Sequence, residues 1–165
     1  MTTARTSFAR RSFRGVAVAA IAGAGIALSP LPASAHTAVA ASASATAVGS
    51  AAQTAVNTAL AQVGDRYVYG ATAPNSFDCS GLTTFSYKAA GISLPRTSKA
   101  QSGFGTPVSK ANLQPGDLVF FYSPVSHVAM YIGNGQIVHA LNASKPVQVM
   151  KLDSMPSYAG ARRVA

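Results

Sequence analysis

The chain has no glutamate, and its only acids are Asp65, Asp78, Asp117 and Asp153. Against them stand 13 lysines and arginines, for a formal charge of +9 over 165 residues. Beyond residue 35 the basic residues are scattered, with no run apart from Arg162-Arg163 at the end. Nucleic acid is therefore a weakly supported partner, and an anionic polymer such as a cell wall fits the charge as well. One cysteine, Cys79, excludes an intramolecular disulfide. Close-spaced Cys/His pairs of the kind that hold structural zinc are missing too. No internal repeat is visible. The longest apolar run, Val16–Leu28, is too short for a comfortable membrane span.

That run has another reading. Arg5, Arg10, Arg11 and Arg14 precede it and Ala33-Ser34-Ala35 follows it, the order of an export signal cleaved before His36. Arg10-Arg11-Ser12-Phe13 also resembles a twin-arginine signal, and the sequence fits either export route. Cleavage predicts a secreted or wall-associated protein with no stable membrane insertion. Residues 36–49 are mostly Ala, Ser, Thr and Val, read as a flexible leader. Residues 50–165 suffice for one domain with an ordinary core.

Within that domain Ser50 and Gln53 match a capping box, with Ala52, Val56, Ala59, Leu60 and Val63 as the apolar face and Gly64 as the stop. Arg66–Gly70 reads as extended or turn-like, and Pro74-Asn75 as a turn. A second helix follows, capped by Ser76, with Leu82, Phe85 and Ala89 at helical spacing and Gly91 as its end. Residues 92–116 are broken by Pro95, Pro107 and Pro115, with a short helix over Thr97–Gln101. Strand patterns then cover Leu118–Tyr122, His127–Ile132, Gln136–Asn142, Val147–Leu152 and Arg162–Val164. Helices followed by an antiparallel meander predict an α+β domain with the helices on one face of the sheet.

The chemistry converges on Asp78-Cys79-Ser80-Gly81. A lone cysteine is more often a small buried apolar residue. In the first turn of a helix, however, unpaired N–H groups and the positive dipole end favour the thiolate, the form that attacks carbonyls. His127 and His139 lie in consecutive strands, and whether they meet depends on register. A two-residue Asn134-Gly135 turn pairs Gly133 with Gln136 and puts them on opposite faces. A three-residue loop pairs Ile132 with Gln136 and makes them diagonal neighbours on one face. Both turns suit the sequence. Cysteine on a helix, histidine on a strand and a second polar orienter form the set a thiol hydrolase needs. A zinc site built from Cys79, His127 and His139 is the rival.

Six motifs in order carry a specific resemblance: Tyr67-Val68-Tyr69-Gly70, Asp78-Cys79-Ser80-Gly81-Leu82, Leu94-Pro95-Arg96-Thr97-Ser98, Leu113-Gln114-Pro115-Gly116-Asp117-Leu118, Ser126-His127-Val128-Ala129-Met130-Tyr131-Ile132-Gly133 and Val138-His139-Ala140. Together they resemble the NlpC-type cell-wall peptidases over residues 50–165. The resemblance implies a papain-like fold and cleavage of peptidoglycan stem peptides, most often between D-glutamate and a diamino acid, with no metal or other cofactor, in a monomer. It implies Cys79 as nucleophile, His127 as base and His139 as orienting third member. Tyr67 is implied to help the oxyanion hole, and Asp78 and Ser80 to line the substrate groove or cap the helix. Asp117 and Arg96 read as a turn residue and a surface contact. One departure is Tyr69-Gly70-Ala71 where the family commonly has Trp-Gly-Gly; tyrosine keeps an aromatic wall. An amidase cutting at the glycan–peptide junction, or a non-catalytic wall-binding protein, are the alternatives.

Overall fold

The computed structural model describes residues 49–165. The expected export signal and all but the last residue of the expected leader lie outside them.

The first helix, α1, runs over residues 49–60 and buries Ala55, Val56 and Ala59. Because Gly49 and Ser50 are already helical, the expected capping box does not form. The Ser50 carbonyl instead accepts from Thr54 Oγ1, and the Gln53 amide donates to Asn57. Leu60 and Val63, placed on the apolar face from sequence, are exposed. Gly64 ends the following turn at φ +102°. Its N–H donates to the Val147 carbonyl at 2.9 Å, tying this corner to the far end of the domain.

Next comes a small sheet that the sequence suggested only as extended or turn segments. It comprises β1 (Arg66–Tyr67), β2 (Thr72–Ala73) and β3 (Ser76–Phe77), in the order β1-β3-β2. Ser76 lies in β3, so it does not cap the next helix; Asp78 does. Helix α2 (Cys79–Ala89) buries Ser80, Gly81, Leu82, Thr83, Ser86 and Tyr87. Ala89 is exposed and Phe85 half-buried, so the expected Leu82–Phe85–Ala89 stripe is rotated from the true buried face. Apolar spacing misplaced that face because the helix buries hydroxyls that bond inward: Ser86 Oγ to the Leu82 carbonyl and Tyr87 to the Gly116 carbonyl. The short helix α3 (Ser98–Gln101) is capped by Thr97, close to expectation.

The main sheet is antiparallel throughout. Its strands are β4 (Thr106–Val108), β5 (Leu118–Phe121), β6 (His127–Gly133), β7 (Gln136–His139), β8 (Gln148–Lys151) and β9 (Tyr158–Arg163). Their order is β4-β9-β5-β6-β7-β8, so the expected meander is the β5–β8 run. β9 is longer than expected and slots between β4 and β5. The unexpected β4 contains Pro107, tolerated because the strand lies at the sheet edge. Side chains alternate across the sheet. Leu118, Phe120, Val128, Met130 and Val138 share one core with Val56, Leu82 and Tyr87 of the helices. Val119, Phe121, Ala129 and Ile137 share the other with Leu152, Met155 and Ala161. The result is the α+β, papain-like arrangement that the sequence implied, with the cysteine helix laid on an antiparallel sheet.

Candidate active site

The register question is resolved by a device that combines both options. The turn is Asn134-Gly135, with Gly133 opposite Gln136, the pairing that alone would separate the histidines. Between Tyr131 and Gly133 the register slips by one residue, so Tyr131 faces Ile137 and Met130 faces Val138. A bulge of this kind restores parity. His127 and His139 then share a face, and His127 Nε2 lies 3.0 Å from His139 Nδ1. That face also carries Ala129 and Phe121, whose ring is 5.8 Å from the His127 ring. By alternation both imidazoles lie on the face of β6 and β7 opposite Val128 and Met130, which pack beneath α2.

The thiol comes to the start of β6. Cys79 is the first residue of α2, and the backbone N–H groups of Val128, Ser80 and Cys79 itself lie close enough to favour its anion. Ladder pairing between β6 and β7 covers Met130 to Gly133, so the start of β6 is open on that side. The thiol thus lies alongside the residue that follows His127.

Asp78 organises what surrounds it. As N-cap its Oδ1 accepts from the Gly81 N–H at 2.6 Å, and its Oδ2 from the Gly70 N–H at 2.8 Å. The Arg96 guanidinium grips both oxygens, at 3.1 and 2.7 Å, and donates to Ser80 Oγ at 2.9 Å. Burial pushes the Asp78 carboxyl up, but Arg96 and the two backbone donors outweigh it and hold it below the usual carboxylate value. The turn carrying Gly70 and Ala71 crosses the first turn of α2 so closely that a Cβ at Gly81 would stand 2.0 Å from the Ala71 carbonyl oxygen. That oxygen also accepts the Asp78 N–H. Gly81→Ala is therefore expected to displace the turn and lower stability by roughly 2–4 kcal/mol, read as a shift in the urea midpoint. An unchanged midpoint would mean the close approach is not needed.

The charge balance corrects one expectation. Burial pushes the Cys79 thiol up, the Asp78 carboxylate adds to the shift, and the backbone N–H groups nearby do not overcome them. A resting thiolate is therefore not what the structure supports, because burial and Asp78 outweigh the nearby backbone N–H groups. Burial, followed by the charge of His139, pushes His127 down to about 3. Burial, followed by Lys145, pushes His139 down to about 4. The resting pair is a neutral thiol and a neutral imidazole. With His127 Nε2–H donating to His139 Nδ1, His127 Nδ1 is bare and able to take a proton. His139 then carries its hydrogen on Nε2, which is buried without a partner among the described residues.

These shifts set a pH dependence. Each histidine binds its proton near 6.5 when unfolded and near 3 or 4 when folded, so the unfolded state holds more protons in between. The stabilisation is complete above pH 6.5 and is lost as pH falls toward 4. The slope is about 1.4 kcal/mol per pH unit for each histidine. Urea unfolding from pH 7.5 to 4 should show this decline, less steep in His139→Gln; a flat profile would mean the imidazoles are not held neutral.

Tyr67, Asp78, Cys79 and Ser80 line one cleft of about 540 Å³, together with Tyr69, Arg96 and Ser126. Tyr69 stands 88% exposed at its mouth. His127 and His139, 4% and 0% exposed, are buried and are not among its walls. The two readings of Asp78 coexist, since it caps the helix and lines the cleft. Arg96 is no incidental surface contact but the counter-ion of Asp78. Asp117 is more than a turn residue: buried, it accepts from Gln114 N–H and pairs bidentately with Arg163 of β9. Gln101 was missed altogether. Fully buried, it donates to the Pro95 carbonyl at 2.8 Å and accepts from Thr83 at 2.8 Å, fixing the segment that carries Arg96 against α2. A single glutamine on a four-residue helix gives no periodic signal. Among the described residues no group of three His, Cys, Asp or Glu side chains is placed to hold a metal ion.

The sequence profile of the NlpC/P60 family matches residues 64–163. A probable endopeptidase of Corynebacterium glutamicum is 49% identical over 113 residues, spanning 68% of this chain and 54% of that protein. A gamma-D-glutamyl-L-lysine dipeptidyl-peptidase of Bacillus cereus is 42% identical over 121 residues, spanning 68% of this chain and 36% of that protein. The chain thus spans about half or less of the length of these relatives. Among solved structures, an NlpC/P60 family protein from Bacillus cereus superposes with a TM-score of 0.66 at 42% identity, covering 68% of this chain and 40% of the other. The peptidoglycan hydrolase RipB from Mycobacterium tuberculosis gives 0.67 at 26% identity, covering 72% and 67%. With the profile matching most of the described residues and the cysteine, both histidines and their supporting turns inside the match, this chain belongs to the NlpC/P60 family.

Proposed function

We propose that the chain is a secreted peptidoglycan hydrolase that cleaves stem peptides, at the bond between D-γ-glutamate and a diamino acid, through a Cys79 thioester. The observation that carries this is the 3.0 Å His127–His139 contact on strands next to Cys79, together with a cleft of about 540 Å³ that Cys79 lines. The Bacillus cereus relative, named for γ-D-glutamyl-L-lysine, supports the choice of bond.

In this mechanism His127 Nδ1 takes the thiol proton as sulfur attacks the amide carbonyl. The developing oxyanion is met by the Cys79 backbone N–H and the Tyr67 hydroxyl, which both border the cleft. His127 then gives its proton to the departing amine, and water, deprotonated by the same imidazole, hydrolyses the thioester. His139 works through His127: it accepts the Nε2–H and so keeps Nδ1 bare. Asp78 has no free lone pair to spare for proton transfer, since it is spent on Gly70, Gly81 and Arg96. It is a positioning residue.

Digestion of purified peptidoglycan, with products read by mass spectrometry, tests the assignment. Expected are fragments ending in D-glutamate and new free amines on the diamino acid. Release of intact stems from the glycan would instead indicate an amidase, and no release a binding protein. Export is tested separately: N-terminal sequencing of protein from the medium or wall fraction should begin at His36. Retention in the cytoplasm, or a start at Met1, would contradict secretion.

A further inference from the structure

Beyond Tyr67 lies a second cavity, of about 260 Å³, whose walls are Arg66, Tyr67, Ser144, Lys145 and Pro146. Tyr67 is common to this cavity and the cleft that holds Cys79. Two segments far apart in sequence build it, β1 and the loop between β7 and β8. Backbone bonds clamp them together: Gly64 N–H to the Val147 carbonyl at 2.9 Å and Val147 N–H to the Asp65 carbonyl at 2.8 Å. The loop is itself braced, with Lys145 N–H on the Asn142 carbonyl and Ser144 N–H on the Asn142 side chain. The backbone thus forces two cations onto one small cavity. Among the described residues the ion pairs engage Arg96, Lys110 and Arg163, and neither Arg66 nor Lys145. Both line the cavity, so an anion entering it meets two cations.

The position of the cavity says which half of a substrate it meets. The imidazole that takes the thiol proton must return it to the departing amine, so the leaving fragment lies on the imidazole side. The loop bearing Lys145 begins directly after His139, whereas Asp78, Ser80 and Arg96 belong to the helix side. Burial and then Lys145 depress His139, which fits a short separation between the cavity and the imidazole pair. Resting on the stem-peptide reading above, we propose that Arg66 and Lys145 form a leaving-side subsite that takes a carboxylate carried by the diamino-acid residue. Two carboxylates qualify: one at the end of the side chain, as in diaminopimelate, or the residue's own α-carboxylate when it ends the peptide.

Three synthetic peptides of the form L-Ala-γ-D-Glu-X separate these outcomes. X is diaminopimelate with its α-carboxyl amidated, lysine with a free α-carboxylate, or lysinamide. At low salt, kcat/KM for one or both carboxylate-bearing peptides should exceed that for lysinamide by about tenfold. In the Arg66→Gln/Lys145→Gln double variant that ratio should fall to about one. Taking the ratio cancels any shared effect of losing Lys145 beside His139. The better of the two carboxylate peptides identifies the source. Equal rates on all three in the wild type, or a preference that survives the double substitution, would overturn the subsite while leaving the stem-peptide reading intact. Cleavage of none of them would contradict that reading, and the subsite with it.

Discussion

His127→Ala is expected to reduce stem-peptide hydrolysis by about 10³-fold or more, because in the proposed mechanism it removes the group that both takes the thiol proton and returns it to the amine. The thiol is held protonated by burial, so without a proton acceptor it stays a poor nucleophile. His139→Ala should cost less, roughly 10²-fold, because the acceptor remains while its tautomer and orientation are no longer held. His139→Asn or His139→Gln should recover part of that loss, since an amide oxygen can still accept from His127 Nε2. This order of activities follows from the 3.0 Å contact and from the bulge that puts both rings on one face. A zinc site predicts another order: every substitution at His139 would release metal, and a chelator would silence the wild type. Peptide cleavage by the set, with and without chelator, separates the two. Wild-type rates in His127→Ala would refute the imidazole mechanism.

The second large effect belongs to Asp78. Its side chain is almost fully buried, while that of Arg96 is 40% exposed, so the ion pair itself is partly screened. Asp78→Ala nevertheless removes the cap of α2 and strands the N–H groups of Gly70 and Gly81. Together these losses amount to roughly 2–4 kcal/mol, seen as a melting point lower by about 10 °C. Activity should fall further than stability explains, because the cysteine is the next residue and Ser80 loses its hold on Arg96. Asp78→Asn keeps an acceptor for the Gly81 N–H and should recover most of the melting point. It should not recover activity, since the bidentate grip on Arg96 needs two carboxylate oxygens. Full activity in Asp78→Asn would mean Arg96 is held for some other purpose.

The candidate site was legible in the sequence where the proposed chemistry depends on rare residues. One cysteine at a helix start and two histidines in neighbouring strands leave few arrangements, and the six ordered motifs narrowed them further. What stayed open was decided by contacts between distant segments. Parity between His127 and His139 depended on a bulge at Ile132, and no residue type there announces one. The small sheet formed by β1, β2 and β3 consists of two-residue strands, too short for alternation to show. β9 takes a place between β4 and β5 through the Asp117–Arg163 pair and the ladder, joining residues 46 apart in sequence. The expected thiolate failed for a different reason. The sequence reveals the helix end that favours the anion but not the burial that opposes it. Likewise Arg96 became intelligible only once the neighbouring carboxylate was seen buried beside it.

The central claim is that the Cys79 sulfur becomes acylated during turnover. Its most direct test is to mix enzyme with a γ-D-glutamyl stem peptide, quench in acid within the first turnover, and measure the intact mass of the protein. The account predicts a species heavier by the mass of the carboxylic-acid product less one water, located on the peptide that contains Cys79. It should decay as product forms and be absent from Cys79→Ala, which should hydrolyse nothing. Turnover by Cys79→Ala, or an adduct on any other residue, would contradict the account.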